Sequence, residues 1–191
     1  MNSDLSIDKI FADLLNQTQQ FSSNLPPVHL WHPDLCGDMD LRIDREGHWI
    51  HESVQINRSS MVKLFSSLLK LEEGSYYLVT PIEKWRIQVD IAPFFIVEAT
   101  KTMREGIQLI SLFTSTEETI LLGTDNPLVI EKSIKNEPLV PLVLVRDNLR
   151  GFLSRSIYYQ LIDWGYPRAC SDGRAELLID SLGCQFSLGN L

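Results

Sequence analysis

From Tyr76 onward the chain is cut into short runs rich in β-branched and aromatic residues, and this punctuation limits the fold more than any other feature. Runs at 76–80, 85–89, 94–99 and 107–114 are separated by Pro81, Pro93 and Gly106. Further runs at 119–122, 128–130 and 139–145 continue the series. Such residues suit a pleated, half-buried surface, and proline and glycine end a strand by removing a donor or freeing φ. Two hairpins flank the series. Residues 40–44 and 48–51 enclose Arg45-Glu46-Gly47, and 175–179 and 184–188 enclose Ser181-Leu182-Gly183.

Helical periodicity appears in three places. Ile7, Ile10, Phe11, Leu14 and Leu15 recur on one face behind Ser6, which predicts an N-terminal amphipathic helix ended by polar residues 16–24 and by Pro26-Pro27. Met61, Leu64, Phe65, Leu68 and Leu69 predict a second helix, capped by Asn57 and stopped at Glu73-Gly74. Ile157, Tyr158, Leu161 and Ile162 predict a third, ending at Gly165 with Pro167 beyond. Many strands, few helices and no strand–helix–strand alternation give an α+β fold with mainly antiparallel sheets. Residues 1–35 read as the N-terminal helix and linker, 36–100 as a first α+β half and 101–191 as a second.

Composition narrows the function. A chain of 191 residues buries roughly 70% of its unfolded surface, enough for a core without disulfide or metal. The net charge of −8 argues against coating nucleic acid, which requires a surplus of Lys and Arg. No run approaches the ~18 apolar residues of a membrane span. Cys36, Cys170 and Cys184 are odd in number and widely spaced, and no basic start precedes an apolar run, so free thiols in the cytoplasm are expected.

A short internal repeat lies at two helix starts. Asn57-Arg58-Ser59 follows one hairpin and Ser154-Arg155-Ser156 follows residues 142–153, each leading into an apolar stripe in which Leu64 aligns with Leu161. A cation in a first helical turn opposes the macrodipole by about 0.3–1 kcal/mol. Free N–H groups beside a guanidinium fork form a place for phosphate or carboxylate. Either each arginine pairs with a carboxylate such as Glu52, Glu83 or Asp147, or both border an anion site in a cleft between the halves. Thr80-Pro81 followed by Glu83-Lys84 puts two opposite charges at a sheet exit. There Lys84 joins the arginines as a cation with Glu83 orienting one of them, or the two charges form a local ion pair.

Other chemistry lacks a pattern. His29, His32, Cys36, His48 and His51 do not have zinc-ligand spacing, and residues three apart on a strand face opposite ways. Asp38, Asp40, Asp44 and Gly47 miss the spacing of a calcium loop. No phosphate loop or nucleophile elbow is present, so neither catalysis nor a cofactor is expected.

Cys36-Gly-Asp-Met-Asp-Leu-Arg-Ile-Asp44, Gly47-x-Trp49, Ile56-x-Arg58, Leu64-Phe65, Tyr77-Leu-Val-Thr-Pro81, Glu83-Lys84 and Ala92-Pro-Phe94 resemble the DUF1285 family of bacterial proteins, and the likeness continues through Val145-Arg146 and Ser154-Arg155 to Phe186. Residues 164–176 and the closing hairpin at Ser181-Leu-Gly-Cys-Gln-Phe186 depart from the family pattern. The resemblance implies a duplicated α+β core whose second half superficially looks like a pleckstrin-homology fold. It implies no established enzymatic activity, and a part in signalling through a nucleotide-like ligand held between the halves. Positions matching the family that would serve it are Arg42, Arg58, Thr80, Glu83, Lys84, Arg146 and Arg155. The expected function is therefore a non-catalytic ligand-binding or regulatory module for a small anion. A protein-interaction module is the alternative, and an unrecognised metal-dependent enzyme the third class.

Overall fold

In the computed structural model, residues 25–132, 139–169 and 174–191 are described. The expected N-terminal helix at residues 7–15 and Cys170 lie outside them. The chain divides into two compact units, one holding the residues up to Asp44 with His48–Asp90 and the other Arg45–Gly47 with Ile91–Leu191.

The first unit is a six-stranded sheet with one helix among the described residues. Its strands are β1 (Leu35–Ile43), β2 (Trp49–His51), β3 (Val54–Gln55), β4 (Leu69–Glu72), β5 (Ser75–Val79) and β6 (Lys84–Val89), in the order β3-β2-β1-β6-β5-β4. Two antiparallel meanders meet at the centre, where β1 and β6 pair in parallel, Leu35 opposite Lys84 and Ile43 opposite Val89. The expected hairpin at 40–51 is present, with Arg42 opposite Ile50 and Gly47 at φ +79°. The two-residue strand β3 was not foreseen.

Helix α1 (Ser59–Ser67) buries Met61 and Phe65, and Phe65 packs against Trp49 of β2. Met61, Phe65, Leu68, Leu69, Leu78, Ile87, Leu41, Ile43 and Trp49 are buried, with the Trp49 and Phe65 ring centroids 6.3 Å apart. The sequence reading placed its ends differently. Arg58 rather than Asn57 is the N-cap residue, and its side chain makes no capping bond. The helix stops at Ser67, where the Ser66 and Ser67 hydroxyls donate back to the Lys63 and Leu64 carbonyls. Such back-bonding weakens a helix end. Glu73-Gly74, at φ +48° and +78°, is the two-residue loop of the β4–β5 hairpin. Both loop residues must have positive φ in such a turn, which glycine meets without strain.

The second unit repeats the sheet plan. Its strands β7 (Phe94–Arg104), β8 (Ile107–Thr114), β9 (Thr119–Leu121), β10 (Leu128–Lys132), β11 (Leu139–Arg146) and β12 (Leu149–Leu153) are ordered β10-β11-β12-β7-β8-β9. First and last strands again pair in parallel at the centre, Phe94 opposite Gly151. The halves are therefore related by strand order. The helix moves, however. In the first unit it links the third strand to the fourth, whereas in the second α2 (Arg155–Trp164) follows the sixth. Ser154 caps α2, accepting the Ile157 N–H, and Ile157 and Leu161 are buried. A three-stranded sheet of β13 (Tyr166–Ala169), β14 (Ala175–Ser181) and β15 (Cys184–Asn190) completes the unit. It is fixed to β8 by the buried Ser181 hydroxyl, which donates to Leu122 O at 2.6 Å and accepts the Ile110 N–H at 3.0 Å. Leu182 and Gly183, φ +51° and +73°, form the closing turn.

Candidate functional site

Strand register sets the site. Opposite residues in neighbouring strands share a face, and so do residues two apart along a strand. Lys70 on β4 lies opposite Tyr77 on β5, Tyr77 opposite Arg86 on β6, and Arg86 opposite Asp38 on β1. A row of cation, aromatic ring, cation and carboxylate thus crosses four strands. Glu72 and Lys84, each two residues from a member of the row, join it. Val28 at the 3₁₀ turn Val28–Leu30 packs with Tyr77 and Val79, and Trp31 packs against them.

The charges interlock within this row. Lys70 Nζ donates to the Trp31 carbonyl at 2.7 Å and lies 2.7 Å from Glu72 Oε1. Lys84 Nζ donates to Glu72 Oε2 and stands 4.3 Å from the centroid of the Tyr77 ring. Arg86 Cζ is 5.9 Å from the same centroid, and its Nη1 lies 3.3 Å from Asp38 Oδ1. The hydrogen bonds from Lys70 and then Lys84 hold the Glu72 carboxyl below its ordinary range, against the opposing effect of burial. The Tyr77 hydroxyl, and secondarily Asp38, hold Arg86 in its charged form.

Thr80, Glu83 and Lys84 are brought together at the β5–β6 loop. The buried Thr80 hydroxyl accepts the Ile82 and Glu83 N–H groups, and the Thr80 N–H donates to Glu83 O at 2.8 Å. Thr80-Pro81-Ile82-Glu83 is thus a closed turn that aims Lys84 into the row. Lys84 pairs with Glu72 across the strands rather than with its neighbour Glu83.

Arg42 is elsewhere on the sheet, held by both oxygens of Asp90 at 2.9 and 2.6 Å. Arg146 belongs to the second unit, where it donates to Glu118 and stands 4.9 Å from the Phe94 ring centroid. Arg58 and Arg155 fall in different units. Both are exposed at helix starts, and neither helix has an acidic residue in its first turn. Arg155 has no ion pair among the described residues. Asp44 accepts the His48 N–H at 2.8 Å, so this acidic position closes the β1–β2 turn.

Lys70, Glu72, Tyr77 and Arg86 were missed in the sequence. Alternation supplies a signal for Lys70 and Glu72, two apart on one face, but pairing them with Tyr77 and Arg86 requires the register. Chemically the row sets Lys84 and Arg86 over one ring with Lys70 across from it on β4, and ammonium and guanidinium groups are donors of the kind that oxyanions accept from.

Comparison with known proteins extends this picture. Residues 26–92 match the family described as domain of unknown function DUF1285, N-terminal domain, and residues 93–188 match its C-terminal domain. The crystal structure of a DUF1285 family protein from Silicibacter pomeroyi DSS-3 is 36% identical, with a TM-score of 0.78 over 93% of this chain and 95% of that one. One from Shewanella baltica OS155 is 23% identical, with a TM-score of 0.51 over 65% of this chain and 91% of that one, a likeness of fold. Among curated proteins there is no match.

Proposed function

The chain belongs to the DUF1285 family, and on that premise we propose that it is a non-catalytic regulatory module that binds a small anionic, nucleotide-like ligand. One observation carries the reading. Lys70, Lys84 and Arg86 surround Tyr77 with two carboxylates among them, a locally positive face on a chain of net charge −8. Cations gathered against an overall negative chain concentrate an anion locally. Free thiols at Cys36 and Cys184 agree with a cytoplasmic setting. A superficial pleckstrin-homology likeness of the second half, six strands followed by a helix, belongs to the same reading, as does a role in signalling.

The test is thermal denaturation with inorganic phosphate, pyrophosphate and ATP. A ligand at a hundred times its Kd stabilises by about 2.7 kcal/mol, a readily measured rise in Tm. Lys84→Ala should abolish that rise while circular dichroism stays native. Arg58→Glu and Arg155→Glu report whether the helix starts contribute. No rise for the unaltered protein, or an equal rise for Lys84→Ala, overturns the reading.

A further inference from the structure

We propose that Glu72 is a built-in stand-in for the ligand, and that the group it stands in for is a dianionic oxyanion of the phosphate class. The inference rests on the anion-binding reading above and adds the ligand's charge and the residue that competes with it.

Glu72 makes the contacts expected of a bound oxyanion. Each of its carboxylate oxygens is taken by a different ammonium, Oε1 by Lys70 and Oε2 by Lys84. Both lysines also have anchors that do not depend on Glu72. Lys70 is fixed by the Trp31 carbonyl and Lys84 by the face of the Tyr77 ring. Their side chains are 14% and 19% exposed, whereas that of Glu72 is 29% exposed. Glu72 ends β4 beside the Glu73-Gly74 turn, at the rim of the sheet. The carboxylate can therefore swing to solvent and leave two preformed donors behind.

The charge balance selects the replacement. With Glu72 in place, three cations face two carboxylates and one positive charge remains. With Glu72 displaced, Asp38 alone opposes the three, and two positive charges remain. A phosphate or phosphomonoester carries about −1.5 to −2 at neutral pH and offers three acceptor oxygens. Those match two ammonium groups and one guanidinium in both charge and number of donors. A monoanion such as acetate would leave the cluster no better compensated than Glu72 already does.

The experiment is isothermal titration with inorganic phosphate, and with acetate as monoanion control, on the unaltered protein, Glu72→Gln and Glu72→Ala. Neutralising the competitor should tighten phosphate binding about tenfold or more, since a unit charge at this range outweighs that factor at a partly screened site. Acetate should stay weak throughout. Phosphate binding by the unaltered protein that is lost in Lys84→Ala, yet equal or weaker in both Glu72 variants, overturns this inference and leaves the anion reading standing. No phosphate binding by any form overturns both. Failure of both Glu72 variants to fold also overturns it, because Glu72 would then be indispensable to the sheet.

Discussion

In the first half two lysines, Lys70 and Lys84, divide one carboxylate between them beside Tyr77. In the second, Arg146, Arg150 and Arg168 each have a separate carboxylate, Glu118, Glu131 and Glu176. Even the ring contacts follow this division. Lys84 over Tyr77 shares its acid, whereas Arg146 over Phe94 does not. The same strand order therefore accommodates two arrangements of charge, one in which an acid meets a single arginine and one in which an acid is divided between two lysines. Topology sets where residues meet, and the identity of a few side chains sets how their charges are shared.

The contrast can be broken first at the cores. Phe65→Ala in the first half should cost about 3–5 kcal/mol, and Leu161→Ala in the second about 2–5 kcal/mol, by chemical denaturation. Equal small losses would mean that neither α1 nor α2 is needed to hold its sheet. Next come two buried threonines. Thr80→Val removes the acceptor for Ile82 and Glu83, and Thr114→Val the acceptor for Glu118 together with the partner of the buried Thr116 hydroxyl. Each should cost about 1–3 kcal/mol. Thr114→Val should be the worse because the Thr116 hydroxyl it strands is buried, whereas Ile82 beside Thr80 is exposed to water. Thr80→Val should weaken anion-induced stabilisation as well, since its turn aims Lys84, whereas Thr114→Val should leave it unchanged. The smallest effect sharpens the helix comparison. Ser154→Ala should lose about 1 kcal/mol by removing the α2 cap, a bond for which α1 has no side-chain counterpart.

The strands and turns were legible because β-branched runs ended by Pro or Gly carry their own boundaries, as at Pro81 and Gly106. Ser154 and Gly165 likewise marked α2. The end of α1 was not legible, since Leu68 and Leu69 continue the helical stripe while Leu69 is buried from a strand. An apolar pattern records burial, and burial is shared by both structures. At the site, Thr-Pro-x-Glu-Lys disclosed the turn and Lys84. It did not disclose Lys70, Tyr77 and Arg86, which meet through pairings between strands that no local pattern encodes. The helix starts that looked like a repeat, at Arg58 and Arg155, occupy different places in the two six-strand plans. The relation between the halves is carried by the order of their strands.

In both six-stranded sheets the central parallel pair joins the first strand of that sheet to be made to its last, Leu35 with Lys84 and Phe94 with Gly151. During synthesis the flanking meanders can form as they emerge, but the middle of each sheet stays open until its final strand has left the ribosome. Such distant pairings slow folding because the loop must close before any contact rewards it. A nascent chain halted just short of Lys84 would expose the inner edge of β1 for the length of the pause, so the interval between these two strands is when this protein most needs protection from its neighbours.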